Sequence, residues 1–170
     1  MTGDGRTRVG AYAICLDESG RILLCRIAPA VKPGEFWTLP GGGLEFGERP
    51  AAAVLRELTE ESGYTGEIIA LADVSDRLFP GPVDGLEGRM HAIRIVYRVR
   101  IVGGTLRDEV DGSTDTCAWF TPQAAARLHL AELARRALRS IAADRATVTA
   151  RAVVEGPPAA EGPPAVDPAG

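Results

Sequence analysis

The sequence contains few of the residues that build zinc sites, disulfide frameworks or membrane spans. Among its 170 residues are three cysteines and two histidines, and no run of about 18 apolar residues occurs. Cys15, Cys25 and Cys117 are odd in number, far apart and set in apolar segments, so buried reduced thiols are predicted rather than disulfides or zinc ligands. His91 and His129 lack partners at catalytic spacing and are assigned structural or surface roles.

The charge balance narrows the class of partner. A formal net charge of −4 argues against a nucleic acid or a membrane surface and leaves a small molecule as the expected partner. The opening residues, MTGDGRTRVG, lack the apolar segment of a signal peptide, so a cytoplasmic protein is expected. A hydrophobic content of 45% supports a single core of ordinary size. The sequence leaves open whether the chain forms a homodimer.

Alternating and apolar segments predict the strands, helices and loops. A hairpin over 8–16 and 21–27 precedes strands at 68–74, 91–102 and 116–120, with helical segments from Pro122 and over 128–143. The loops 28–36 and 79–88 contain glycine and proline and are expected to border a substrate cleft. In the segment 156–170, 12 of 15 residues are Gly, Pro or Ala. We therefore predict one domain over 1–145 and a disordered tail over 146–170.

The strand predicted over 91–102 carries three arginines on one face. Arg94, Arg98 and Arg100 alternate along the strand with apolar residues that form the opposite face. This arginine face either lies in solvent or holds phosphate, and the solvated interpretation is preferred. Trp37, which precedes a glycine-rich loop, is interpreted as a core residue rather than a stacking surface.

That loop, 38–43, is followed by an acidic helix, and together they form the most informative segment. Pro50 suits the first turn of a helix, and Gly63 suits its left-handed end. Between them, Glu57, Glu60 and Glu61 have the spacing i, i+3 and i+4, which places them within an arc of roughly 100° on one face. Because like charges so close repel each other, a divalent cation is expected, and oxygen ligands suit Mg²⁺ or Mn²⁺. Mg²⁺ takes few protein ligands, so a phosphorylated substrate is expected to supply others.

The segment from Gly42 to Tyr64 resembles the Nudix box, G(x5)E(x7)REU(x)EE(x)GU, in which U is a bulky apolar residue. The positions that fit are Gly42, Glu48, Arg56, Glu57, Leu58, Glu60, Glu61 and Gly63. Tyr64 departs from the pattern, since an aliphatic residue is commoner there, and we expect it to alter packing rather than chemistry. Three glutamates on one helix face usually form only a solvated surface, but the complete pattern argues against that interpretation.

The resemblance implies a hydrolase that uses a divalent metal to cleave the pyrophosphate bond of a nucleoside diphosphate linked to another moiety. It also implies an α/β fold, the Nudix-type α/β/α sandwich with a mixed β-sheet. The implied metal ligands are Glu57, Glu60, Glu61 and the carbonyl oxygen of Gly41. The implied catalytic residues are Glu57, Glu60, Arg56 and Glu48. Among these, Glu57 is either a ligand or the base, and Arg56 is expected to reach back to Glu48 and fix the loop against the helix.

The resemblance leaves the substrate open. ADP-ribose and nucleoside triphosphates are favoured, and Pro80, 16 residues past Tyr64, stands near a proline found in many members that act on ADP-ribose. Most members take a further metal ligand or base from outside the box, and Glu109 is a candidate, with a solvated loop charge as the alternative. A catalytically silent domain that senses a nucleotide ligand is the alternative function, although such domains tend to lose the glutamates that this chain retains.

Overall fold

The computed structural model describes residues 5–81, 88–109 and 112–155, with side chains described up to residue 146. The strands are β1 (Gly5–Cys15), β2 (Ile22–Ile27), β3 (Trp37–Thr38), β4 (Gly41–Gly43), β5 (Tyr64–Phe79), β6 (Arg89–Gly104) and β7 (Thr114–Phe120). The helices are α1 (Pro50–Ser62), α2 (Pro122–Ala125) and α3 (Glu132–Glu155). None of the helices within these ranges has the length and apolar character needed to cross a membrane.

The strands form two sheets. The first is mixed, with the order β4-β1-β6-β5, and in it β1 runs parallel to β6 while the other pairs are antiparallel. The second is antiparallel, with the order β3-β2-β7. Helix α1 packs against β1, β4 and β5 of the first sheet and against β7 of the second. The α/β fold with a mixed sheet is therefore confirmed.

Helix α1 begins and ends where the local sequence favours it. Pro50 occupies the first turn, where its missing N–H removes no helical hydrogen bond. Gly63 ends the helix with a φ of 73°, the left-handed conformation that glycine adopts without strain. The apolar side of α1 is buried and contributes Ala53, Val54 and Leu58 to the core. Burial of Leu58 alone stabilises the fold by about 2 kcal/mol. With this side of α1 buried, the acidic side of the helix faces the glycine-rich strand β4.

The predicted hairpin over 8–16 and 21–27 is wrong. Strands β1 and β2 belong to different sheets, and Leu16 and Ile22 form an isolated bridge where the two strands approach. Strand β1 instead pairs with β6 along its whole length. Strand β5 also extends beyond the predicted 68–74, so that Phe79 ends a strand rather than opening a loop. Alternation in a sequence predicts that a strand forms, but it does not predict the partner of that strand.

The carboxyl-terminal helix is longer than predicted. It begins at Glu132, later than the predicted 128, and it continues to Glu155. The backbone of 146–155 is therefore helical where a disordered tail was predicted, whereas 156–170 lies outside the described residues. The chain divides into two units, Met1–Leu138 and Arg139–Gly170, and the single domain over 1–145 stays a prediction.

The thiol prediction is wrong for two of the three cysteines. Cys25 on β2 and Cys117 on β7 stand directly opposite each other, with their Cα atoms 4.0 Å apart, and they form a disulfide. Cys15 is free and buried, as predicted, and burial raises the pKa of its thiol to about 12. The disulfide was missed because it depends on the register between two strands that are 92 residues apart in the chain.

Candidate active site

The last turn of α1 places Glu61 against the glycine-rich loop. The backbone N–H of Gly41 donates a hydrogen bond of 2.8 Å to Oε2 of Glu61. Gly41 has a φ of 135°, and a Cβ atom at this position would overlap the carbonyl oxygen of Ala11. Because only glycine fits here, the loop can approach the helix closely enough to bind this carboxylate. The structure thus brings together two of the predicted ligand residues, Gly41 and Glu61.

Glu61 is a buried carboxylate with one unsatisfied oxygen. The residue is 1% exposed, and within the described parts of the chain its Oε1 atom has no hydrogen-bond partner. Burial is the main reason why the pKa of Glu61 rises to about 8. The hydrogen bonds from Gly41 and from the side chain of Thr114 oppose this rise, and the charges of Glu57 and Glu109 add to it. A cation beside Oε1 would stabilise the ionised form, so this oxygen fits a metal site.

Glu57 lies across the backbone of Gly42. A Cβ atom added to Gly42 would lie 2.5 Å from Oε1 of Glu57, so the carboxylate occupies the space that the glycine leaves free. The side chain of Glu57 is 14% exposed. Burial raises the pKa of Glu57, and the guanidinium of Arg56 opposes that rise. Glu57 and Glu61 are therefore two carboxylates held near each other at the same edge of the loop.

Glu60 lies beside Glu57, because Nη1 of Arg56 bonds both carboxylates, but Glu60 is the more exposed of the two. Its side chain is 51% exposed, and Oε2 of Glu60 accepts a hydrogen bond of 3.0 Å from Nη1 of Arg56. Among the residues that the structure describes, no group of three or more His, Cys, Asp or Glu side chains is placed to hold a metal ion. A cation held by these glutamates would complete its coordination with main-chain oxygens, water and substrate phosphates, which is the pattern that Mg²⁺ prefers.

Arg56 connects the helix to the loop. Its Nε and Nη2 atoms each lie 2.9 Å from an oxygen of Glu48, so the contact predicted from the resemblance is present. Nη2 also donates to the carbonyl oxygen of Gly43 at 3.2 Å, and Nη1 donates to Glu57 at 3.1 Å. Because one guanidinium holds the loop, its anchoring glutamate and a site carboxylate, Arg56 is suited to positioning rather than to contact with substrate.

Glu109, the candidate from outside the box, lies beside the same carboxylates. Its charge contributes to the raised pKa of both Glu57 and Glu61. Oε2 of Glu109 accepts hydrogen bonds from the backbone N–H of Thr114 at 3.2 Å and from its hydroxyl at 2.9 Å. The neighbouring residues 110 and 111 lie outside the described residues. Glu109 is therefore a third acidic group held at the edge of the site.

A cavity of about 390 Å³ lies next to this site, and most of its lining was not identified from the sequence. Its lining residues are Arg8, Gly10, Tyr12, Ile27, Val31, Lys32, Phe79, Met90, Ala92, Ile93 and Arg94. The predicted cleft loops contribute Val31, Lys32 and Phe79, while 82–87 of the second loop lies outside the described residues. The solvated interpretation is wrong for Arg94, which is 8% exposed. Alternation along β6 predicted the face of Arg94 but not which element covers it.

The other singled-out residues have structural roles. Trp37 is 6% exposed and its ring packs edge to face against Phe120, which confirms the core interpretation. Nε2 of His91 lies 2.9 Å from Oδ2 of Asp76 on the surface, within hydrogen-bond distance. His129 accepts a hydrogen bond at its carbonyl oxygen from the backbone of Trp37. Neither histidine lines the cavity beside the carboxylates.

Comparison with known proteins gives a family match over most of the chain. The model of the NUDIX domain matches residues 6–141. The chain is 32% identical over 130 residues to a protein of Salmonella arizonae (strain ATCC BAA-731 / CDC346-86 / RSK2980) named nucleoside triphosphatase NudI, which covers 73% of this chain and 89% of that protein. A protein of the same name from Escherichia coli O139:H28 (strain E24377A / ETEC) is 29% identical with the same coverage.

Solved structures show the same fold. The crystal structure of the MutT NUDIX hydrolase from Burkholderia pseudomallei matches with a TM-score of 0.65 and 29% identity, over 79% of this chain and 97% of that chain. An ADP-ribose pyrophosphatase from Streptococcus suis 89-1591 matches with a TM-score of 0.56 over 79% of this chain and 87% of that chain. At 18% identity, the latter likeness shows the fold alone.

Proposed function

Because the chain belongs to the Nudix family of hydrolases, we propose that it hydrolyses a phosphoric anhydride bond of a nucleoside triphosphate with the help of Mg²⁺ or Mn²⁺. As a family member it is a pyrophosphohydrolase. A triphosphate substrate is supported by the relatives named nucleoside triphosphatase, which match over 89% of their own length. ADP-ribose gains no comparable support, since the neighbour with that name shares the fold alone.

The observation that carries the proposal is the buried Oε1 atom of Glu61, which has no hydrogen-bond partner among the described residues. A carboxylate oxygen in this position, beside the charges of Glu57 and Glu109, favours binding of a hard cation. The proposed ligands are Glu57, Glu60, Glu61 and the carbonyl oxygen of Gly41. A cation held there would neutralise phosphate charge and lower the pKa of an attacking water.

The side chains around the cation site have separate roles in this proposal. Glu57 serves either as a ligand of the cation or as the base that accepts a proton from the attacking water, since its carboxylate lies at Gly42, next to the residue that binds Glu61. Arg56 holds Glu57 and the loop in place through its contacts with Glu48 and Gly43. Glu48 therefore acts as the anchor of Arg56 and needs no contact with the substrate.

The experiment is a substrate panel of the common nucleoside triphosphates, ADP-ribose and dinucleoside polyphosphates, each incubated with Mg²⁺ or Mn²⁺ and analysed for products by chromatography. We expect hydrolysis of at least one triphosphate and loss of activity with a chelator. Glu60→Gln and Glu61→Gln should each lower kcat by roughly 100-fold or more, because the charge stabilisation by a metal is worth several kcal/mol. The control is Glu67→Gln, which alters an exposed glutamate paired with Arg100 on the same sheet.

Each alternative gives a different result in this panel. Full activity of both Glu60→Gln and Glu61→Gln at saturating Mg²⁺ would contradict the metal assignment. Hydrolysis of ADP-ribose without hydrolysis of any triphosphate would leave the reaction intact but change the substrate class. Binding of a nucleotide, measured as a rise in Tm, with no turnover of any compound would favour the sensor alternative.

A further inference from the structure

Arg94 is a buried arginine that faces the cavity beside the active site. It stands in the middle of β6, is 8% exposed and lines the cavity of about 390 Å³. Its Nη1 atom donates a hydrogen bond of 2.7 Å to Oε2 of Glu132, the first residue of α3. Removing a guanidinium from water is costly unless a counter-charge is present, and Glu132 supplies that charge. The remaining N–H groups of the planar fork are the natural donors towards the cavity.

Tyr12 connects this arginine to the acidic site. Its ring lies next to Gly10 and Gly41, and the residue lines the same cavity as Arg94. The Tyr12 side chain packs against Gly41, whose backbone N–H binds Glu61. Tyr12 therefore links the loop that holds Glu61 to the cavity. Its phenolic O–H can donate a hydrogen bond to an anion in the cavity.

The lining of the cavity combines positive charge with apolar surface. Arg8, Lys32 and Arg94 supply the charge, and Ile27, Phe79 and Met90 supply the apolar surface. The volume of about 390 Å³ falls in the range of small-molecule sites, which combine apolar walls with a few polar groups. A nucleotide needs the same combination, because it has an anionic phosphate chain and a flat, weakly polar base.

We propose that Arg94, positioned by Glu132, binds the phosphate chain of the substrate together with the Tyr12 hydroxyl, while the base lies against the wall that contains Phe79 and Met90. This inference rests on the proposed function, and it assigns specificity to residues outside the box. An arginine fork matches phosphate oxygens in geometry, which a lysine does not. Glu132 contacts no substrate in this arrangement and acts only through Arg94.

The charge of the cavity explains why a triphosphate suits it. A triphosphate carries more negative charge than the two linked phosphates of a sugar-linked diphosphate. Arg8, Lys32 and Arg94 line the cavity together with Tyr12, and Tyr12 packs against Gly41, which binds Glu61. The phosphate chain would thus be held from two sides, by the acidic metal-binding edge and by the basic edge of the cavity.

The test measures binding rather than turnover. The probe is a nucleoside triphosphate analogue whose bridging oxygens are methylene groups, titrated by calorimetry in the presence of Mg²⁺. Arg94→Ala should weaken binding by about tenfold or more, since the phosphate chain loses a hydrogen bond between two charged groups. Glu132→Ala should weaken it less, and adding Glu132→Ala to Arg94→Ala should change nothing further. Tyr12→Phe should weaken it several-fold.

Arg136→Ala is the matched control. Arg136 lies on the same helix as Glu132 and pairs with Asp73 of β5 at 2.5 Å, but it does not line the cavity. We expect the affinity of Arg136→Ala for the analogue to stay within about twofold of the wild type, since Arg136 makes only an exposed ion pair. If Arg94→Ala does not fold, Arg94→Lys replaces it, because the lysine keeps the charge and loses the fork; its binding should also weaken.

The outcomes separate this inference from the proposed function. Three results would overturn the inference. The folded Arg94 variants could bind the analogue normally, Arg136→Ala could lose as much affinity as Arg94→Ala, or the wild type could fail to bind the analogue. An equal loss of affinity for the unphosphorylated nucleoside would overturn the assignment of Arg94 to phosphate. Binding that depends on Arg94 in a protein that hydrolyses nothing would support the inference and contradict the proposed function. Hydrolysis of a triphosphate at the wild-type rate by the Arg94 variants would support the proposed function and contradict this inference.

Discussion

The guanidinium of Arg56 and the carboxylate of Glu48 form a two-bond fork, with Nε 2.9 Å from Oε1 and Nη2 2.9 Å from Oε2. These hydrogen bonds are the main reason why the pKa of Glu48 falls to about 2, so Glu48 remains ionised at any working pH. The same guanidinium reaches Glu57 and the carbonyl oxygen of Gly43. The position of Glu57 therefore depends on an arginine that its ion pair with Glu48 holds in place.

Arg56→Lys should lower kcat by roughly 10- to 100-fold, because a single ammonium group cannot serve Glu48, Gly43 and Glu57 at once, and small displacements at a reacting centre are costly. The value of KM should change less, since Arg56 is not among the described residues that line the cavity. Steady-state kinetics on the best triphosphate gives both numbers. Arg49→Lys, a change at an exposed arginine of the same loop, is the control. Equal kinetics for the two variants would show that the fork is not needed.

Gly42→Ala should displace Glu57 without unfolding the protein. The new Cβ atom would lie 2.5 Å from Oε1 of Glu57, and the atoms that must move are the end of a flexible side chain. We expect kcat to fall by about 10- to 100-fold, with a Tm change of only a few degrees. In Gly81→Ala the added Cβ meets no atom within 4 Å, so this control variant should keep the kcat and the Tm of the wild type. A wild-type kcat in Gly42→Ala would show that Glu57 takes no part in the reaction.

Local chemistry made parts of the site predictable. The limits of α1 follow from Pro50 and Gly63, and the contact of Arg56 with Glu48, which the resemblance implies, is present. Helical spacing placed Glu60 with the other glutamates, but it did not predict that Nη1 of Arg56 bonds both Glu57 and Glu60. Helical periodicity does not contain that information.

Contacts between distant segments were not predictable in the same way. The parallel pairing of β1 with β6 joins residues that no alternation pattern links. Arg94 was expected in solvent because a strand arginine usually lies there, and it is buried because Glu132, 38 residues later, begins a helix over it. The Cys25–Cys117 disulfide depends on the register of two strands in the same way. Each of these features arises from packing between elements rather than from local propensity.

The Cys25–Cys117 disulfide gives a direct chemical prediction. Denatured, unreduced protein should take up one alkyl group from iodoacetamide, at Cys15, and reduced protein should take up three. Intact-mass spectrometry counts the groups, and digestion locates them. Three groups on the unreduced protein would show that the cysteines are thiols, as the sequence suggested. Purification must exclude reductant, since a reducing compartment or buffer would remove the bond.

Chelator-treated protein should lose stability as the pH rises from about 5 to 8, because of Glu61. The pKa of Glu61 is about 8 in the folded chain and 4.5 for an unperturbed glutamate. Between these values the folded carboxyl is protonated and the unfolded one is ionised, so raising the pH favours unfolding. This contribution is fully present below about 4.5 and is lost as the pH passes through about 8, at roughly 1.4 kcal/mol per pH unit.

The measurement is Tm against pH for the wild type and for Glu61→Gln, whose side chain is neutral throughout. Because groups that do not interact with Glu61 titrate equally in both proteins, the difference between the two curves reports Glu61 together with its coupling to Glu57 and Glu109. The wild-type curve should fall by several degrees more than the variant curve between pH 5 and 8. Mg²⁺ should raise the Tm of the wild type, and more so at higher pH, since a cation binds the ionised carboxylate. It should leave the Tm of Glu61→Gln almost unchanged. Parallel curves for the two proteins would contradict the buried, protonated state of Glu61.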